Sequence, residues 1–238
     1  MSSDLRIILK GIQQFLLLSF LVTLPIFTIF YDLIYTQQNL LNLEQGLSEY
    51  SMTEYLQESL LFFTTLSFAY TAYKSAEIRH FCVLVTGFFA CMLIRELDGF
   101  LDNIRHGFWV YPATLVALFS IIYALKAPDK TINAFAKFVQ SRHFVTLNIG
   151  MTLLLVFSRI FGIGELWQGI LGPDYERIIK RVVEEGLEVL GYTIIFYAAM
   201  GYLNSFLVCH KAKSSKAIFE QPVDIEASIY RYNTNRNN

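Results

Sequence analysis

Charge is scarce in this sequence. Of its 238 residues only 16% are Asp, Glu, Lys or Arg, against about a quarter in soluble domains. Long stretches carry no charge at all, while 54% of the chain is hydrophobic and the mean hydropathy is +0.43. That imbalance excludes an ordinary water-soluble domain and points to a polytopic membrane protein. The net charge of −1 gives no global attraction for nucleic acid, and no basic, aromatic-interleaved segment exists to bind one. Cysteine is also sparse. Cys82, Cys91 and Cys209 sit in apolar runs without a C-x-x-C pair, so they read as small buried hydrophobes, not a disulfide framework. No Walker A, G-x-G-x-x-G, G-x-S-x-G or H-E-x-x-H motif occurs, which removes the common nucleotide, dinucleotide, serine-hydrolase and zincin signatures. No small-residue cleavage site follows the first apolar run, Ile12 to Tyr31, so that run is an uncleaved first span containing Pro25, with a kink expected there.

What the chain does have is apolar segments of spanning length. A span needs about 20 mostly apolar residues. Six segments qualify, at about 11–31, 54–73, 81–102, 108–125, 144–163 and 186–208. The predicted fold is therefore all-α, a bundle of six transmembrane helices over residues 1–210 with a polar tail over 211–238 whose end is expected to be disordered. Lys and Arg orient it. Thirteen of the 19 fall in one set of loops and the two termini, four in the opposite loops, and Arg95 and Arg159 within spans. The loop from Asp32 to Thr53 has none. Both termini are expected in the cytoplasm, in a cell membrane such as a bacterial inner membrane. Segment 126–143 is a basic connection whose stripe of Ile132, Phe135, Ala136, Phe138 and Val139 predicts an interfacial helix. Gly186, Gly191 and Gly201 are expected to permit close helix contacts.

The informative polar residues lie at the opposite end. Arg95, Asp98, Asp102 and His106 follow an apolar run. At about 100° per residue they fall on one stripe of a continuous helix, with Glu96 pointing elsewhere. Ionisable groups at membrane depth cost roughly 2.5–3.5 kcal/mol each, so they usually mark a site. Counting about 1.5 Å per residue from the cytoplasmic edges, Glu58, Arg95, Asp98 and Arg159 all stand in the outer quarter of the bilayer or just beyond it. Glu54, Glu58, Glu184, Glu185, Glu188 and Arg181 join them at the entries of helices two and six, where carboxylates favour the positive end of the helix dipole. The bland readings are solvated first-turn acids for Glu54, Glu184 and Glu185, a snorkelling Arg159, and a polar loop for Asp102, Arg105 and His106. A structural Arg–carboxylate tie involving Arg95 and Asp98 also remains open.

Three chemistries fit. A divalent metal is one, with Glu58, Asp98, Asp102, His106, Glu184 and Glu188 as candidate ligands, as in carboxylate bundles; a single outer His argues against zinc. Recognition of a lipid or lipid-linked headgroup is the second, with Arg95 and Arg159 clamping an anion. The outer-rim aromatics Phe108, Trp109, Tyr111, Trp167 and Tyr175 suit an interfacial belt. Ion or proton movement is the third, but the inner half offers chiefly hydroxyls, such as Thr64, Ser67 and Thr71, which in membrane helices more often bond a neighbouring carbonyl or helix. His80, His143 and His210 mark the inner edge beside Lys or Arg and read as interfacial. The leading expectation is a membrane enzyme, a hydrolase or transferase acting on a lipid or lipid-linked substrate. Asp98, Asp102, His106, Glu58 and Glu188 would then be acid–base groups or ligands. The alternatives are a non-enzymatic lipid or ion binder, a transporter, and a structural subunit.

Overall fold

A computed structural model describes residues 3–39, 51–175 and 177–219. It resolves into two compact units, Met1–Leu203 and Asn204–Asn238. All regular structure among the described residues is helical. In the first unit α1 is Ser3–Asn39, α2 Met52–Lys74, α3 Arg79–Glu96, α4 Asp98–Leu101, α5 Val110–Leu125 and α6 Pro128–Val139. Next come α7 (Arg142–Thr152), a π-helical segment (Leu153–Phe157), α8 (Ser158–Phe161), α9 (Gly164–Leu171) and a short 3-10 turn (Gly172–Asp174). The last helix, α10, is Arg177–Phe219 and enters the second unit. The expectation of a disordered tail end falls outside the described residues, as does the middle of the connection between α1 and α2.

Among the described residues three helices are long and apolar enough to cross a membrane: Gly11–Asp32, Arg142–Phe161 and Arg177–Ala212. A fourth results if α5 and α6 count as one span, but they are bent by 101°. The helices α2 and α3 form where spans two and three are expected, yet both are more polar than these. Position explains the polarity of α2. It buries Thr53, Gln57, Thr64, Ser67 and Thr71 together with Leu60, Leu61 and Phe68. The opposite face, with Phe62, Phe63, Leu66 and Tyr70, is exposed and apolar, while hydroxyls on the buried face are satisfied without water by carbonyls of their own helix.

Helix α1 extends beyond the expected 11–31 at both ends and α10 beyond 208 at its C-terminal end, and two further boundaries bear on the site. The third helix was expected to reach residue 102 but stops at Glu96, after which Leu97 leaves the helix and α4 runs for four residues. The sixth was expected from 186 but begins at Arg177, nine residues earlier. The connecting segment 126–143 is a helix, as its stripe implies. Ala127 breaks α5, Pro128 starts α6, and the Thr131 hydroxyl donates to the Ala124 and Ala127 carbonyls at 3.0 Å each. Pro128 suits the first helical turn because its missing N–H would be unpaired there. Meanwhile α1 is continuous through Pro25.

Packing is tightest where side chains are smallest. A Cβ on Gly150 would stand 2.8 Å from Ile195 Cγ1, and one on Gly191 would stand 3.0 Å from Leu154 Cβ, so α7 and α10 meet almost backbone to backbone. Gly186 and Gly201 face Ile29 and His143 as closely, at 2.9 Å. All three α10 glycines singled out from sequence thus permit close contacts. Beneath them lies an aromatic core. Phe68 stacks on Phe89 at 5.7 Å and on Tyr202 at 5.8 Å, and Phe138 meets Tyr202 edge-on at 4.9 Å.

Candidate functional site

The start of α10 carries Lys180, Glu184, Glu188 and Tyr192 at four-residue intervals, which aligns them along one side of the helix. Arg159 meets this row. Its Nη2 lies 3.1 Å from Glu188 Oε1 and its Nη1 lies 3.6 Å from Glu184 Oε1. Lys180 Nζ stands 4.0 Å from the other Glu184 oxygen. Glu188 is 13% exposed, so Arg159 rather than water is its near partner. A Cβ at Gly162 would stand 2.7 Å from Glu184 Cδ; the absent side chain is what lets that carboxylate lie against the chain.

The π-helical segment aims Arg159. In a regular α-helix, residues nine apart such as Gly150 and Arg159 stand about 180° apart. One wide turn over Leu153–Phe157 absorbs an extra residue, which brings them to within roughly a right angle and turns both toward α10. Ser158, fully buried beside it, donates to the Leu154 carbonyl at 2.6 Å.

Glu96 links this group to the rest of the bundle. Its Oε1 accepts the Tyr192 hydroxyl at 2.8 Å and pairs with Arg95 Nη1 at 3.0 Å. Glu188 stands within electrostatic reach of Glu96, Glu184 and Arg95, and Glu58 within reach of Glu96. A second acidic group adjoins. Asp32, 6% exposed, accepts the backbone N–H groups of Met52 and Thr53 at 2.9 Å each and also the Thr53 hydroxyl, so the end of α1 caps the start of α2. Ser51 adds a cap to Glu54 N at 3.1 Å. Glu185 interacts electrostatically with Arg181, Glu54 and Asp32.

The predicted stripe on helix three is not assembled. Because α3 ends at Glu96, the regular phase does not carry through to Asp98, Asp102 and His106. Arg95 is about half-exposed at 48% and Asp98 is exposed. Glu96, expected to point elsewhere, is at 17% the more enclosed of the pair. Asp102 and His106 close a local turn, with His106 Nδ1 2.7 Å from Asp102 Oδ2 and Gly107 N donating to Asp102 Oδ1 at 2.8 Å. That backbone N–H, and then the imidazole, hold the Asp102 carboxyl below its ordinary range. His106 is 98% exposed. Among the described residues no three His, Cys, Asp or Glu side chains come close enough to hold a metal ion. Glu58, Asp98, Asp102, His106, Glu184 and Glu188 are therefore not a preformed metal centre.

Glu96, Tyr192 and Asp32 are the participants that sequence reasoning missed. Tyr192 had a signal, since it continues the Glu184, Glu188 spacing and a buried phenol needs a partner. Glu96 had a weaker one, since Leu97-Asp98-Gly99 resembles a helix end.

An open cleft of about 430 Å³ adjoins Glu184. Gln168, Tyr175, Arg177, Lys180 and Arg181 line it, so cations outnumber carboxylates among its described lining residues three to one. Trp167 anchors its floor helix, α9, by donating to the Phe161 carbonyl at 2.6 Å. Comparison of the chain with protein-family models, with curated proteins and with solved structures gives no match.

Proposed function

We propose that this is a six-span membrane protein with both termini cytoplasmic and an outward-facing site that receives the phosphate of a lipid or lipid-linked substrate. The observation that carries the reading is the cationic cleft beside the Arg159–Glu184–Glu188 group. Arg159 and Arg95 are each matched by carboxylates, which makes them positioning groups. Three cations, Arg177, Lys180 and Arg181, line the cleft beside the single carboxylate of Glu184, so the anion clamp shifts there. A planar guanidinium pair suits a phosphate in two-point contact. Glu58 and Glu188, on facing helices near Glu96, are the acid–base candidates if the bound lipid is transformed. Helices α2 and α3 also cross in this reading, α2 with its Phe62, Phe63 and Leu66 face toward lipid.

A through-path for ions has less support. Thr64, Thr65, Ser67, Thr71, Thr86 and Thr193 all donate to carbonyls of their own helix at 2.7–2.8 Å. The aromatic core around Phe68, Phe138 and Tyr202 fills the space beyond them. A structural cap is favoured by one observation, the full pairing of Arg159 by two glutamates.

The test is binding by the full chain in detergent micelles of phosphatidic acid against diacylglycerol of the same acyl composition. We expect at least a tenfold preference for the phosphate lipid, lost in Arg177→Gln/Arg181→Gln with folding intact. Equal binding of the two lipids refutes the headgroup site and leaves the structural cap.

A further inference from the structure

We propose a second, independent lipid site at the other end of the bundle, where α6 seats one acyl chain of an anionic phospholipid. Helix α6 turns away from α5 by 101° and buries Ala134 and Phe138 against the bundle. Its Ile132 and Phe135 instead overhang a groove of about 400 Å³ whose other walls are Leu84 and Phe88 of α3 and Leu147 and Met151 of α7. Thr131 is the one polar residue on that lining, and its hydroxyl is already committed to the Ala124 and Ala127 carbonyls. Ile132, Phe135 and Phe88 remain 63%, 48% and 47% exposed. Exposed apolar surface gathered on a one-sided concavity calls for an apolar occupant.

Lining chemistry selects the occupant. The groove runs beside Phe81–Phe88 on α3 and Phe144–Met151 on α7, about 10 Å of helix on each side. Its walls are aliphatic and aromatic, and the Thr131 hydroxyl is already bonded, which suits a hydrocarbon chain. Charge selects the headgroup. At this end the described ionisable residues between Lys74 and Arg142 include Lys74, Arg79, Lys126, Lys130, Lys137 and Arg142, against Glu77 and Asp129. Glu77 is taken up by Lys137 at 3.0 Å. Arg142 opens α7 two residues before Phe144, at the groove. A helix lying flat with its lysines toward water and its aromatics toward hydrocarbon collects anionic lipid in this way.

The experiment reconstitutes the full chain into phosphatidylcholine vesicles carrying trace phosphatidylglycerol or phosphatidylcholine with a photoactivatable acyl chain, then maps adducts by mass spectrometry. We expect adducts on 81–88 and 144–151, severalfold more from the glycerol lipid. Leu147→Trp, or Ile132→Trp should Leu147→Trp fail to fold, removes them. Lys130→Gln/Arg142→Gln lowers the anionic preference by about fivefold per cation while the neutral probe still labels. Equal labelling by both lipids overturns the headgroup assignment. Adducts unchanged by either tryptophan overturn the groove, and so does a chain-to-chain crosslink that excludes the probe, which would assign it to a second copy. None of these outcomes bears on the cleft of α10.

Discussion

The two ends of the helical bundle handle buried polarity in opposite ways. At the Glu188 end, polar side chains find partners on other helices. Arg159 reaches from α8 to α10, Tyr192 from α10 to α3, and Asp32 from α1 to α2. At the Phe138 end, buried hydroxyls such as Thr64 and Thr71 return to their own helix, and contact between helices is mainly aromatic, joined by the Thr131 bond to the Ala124 carbonyl and the exposed Lys137–Glu77 pair. Bonds between helices constrain how helices sit against one another, whereas bonds within one helix leave that to packing. The first arrangement concentrates charge and a concave surface in one place, and the second removes polarity from the rest of the interior. The proposed one-sided site rests on that contrast.

The largest effect should come from the turn that aims Arg159. Inserting one Ala between Phe157 and Ser158 rotates Arg159 by about 100° and strands Glu188, a loss of about 3–5 kcal/mol by analogy with broken buried pairs. Deleting Leu155 instead converts the wide turn to regular α-helix and leaves Arg159 in place. Thermal unfolding in detergent should separate the two variants sharply; equal losses would mean that the π-helical segment is incidental.

Next in size is the pair itself. Glu188→Gln should cost about 2–3 kcal/mol, because it leaves a half-exposed Arg159 with only the longer contact to Glu184. The same assay reads it, and a change under about 0.5 kcal/mol would show that water replaces the carboxylate freely.

The comparison between ends is tested most directly by two hydroxyl deletions. Tyr192→Phe removes a bond to a carboxylate on another helix and should cost about 1.5–3 kcal/mol. Thr64→Val removes a bond within one turn and should cost under about 1 kcal/mol. Equal costs would erase the distinction.

The smallest effect concerns the Asp102 turn and pH. Its carboxyl is held below the ordinary range in the fold by Gly107 N–H and His106. A depressed folded value means that the contribution is complete above the unfolded value of about 3.9 and fades as pH falls through the folded one. The protection of the Gly107 amide relative to its intrinsic exchange rate should therefore fall only in acid, and Asp102→Asn should lack it at every pH. Acid-independent protection in the unaltered protein would remove the carboxylate from the turn.

Periodicity and composition made much of this legible. Apolar length located the helical segments, the Ile132–Val139 stripe located α6, and the small residues of α10 located its close contacts. Four-residue spacing placed Glu184 and Glu188 on one face and the shared end of the bundle placed Arg159 near their level, but their pairing is seen only in the fold. The helix-three stripe failed for a definite reason. Angular phase persists only while hydrogen bonding is regular, and α3 ends at Glu96. One residue of phase separates Arg95 from Glu96, and that difference set which side chain is enclosed.

By itself the sequence determined an all-helical, membrane-compatible chain with its polar groups gathered toward one end, because burial and helix period act locally on residue type. The tertiary structure alone decided which charges became partners. That depends on where α3 stops, on one wide turn before Ser158, and on how closely Gly150 and Gly191 let backbones approach. Each shifts a carboxylate or guanidinium by several ångströms, enough to make an ion pair or to lose it.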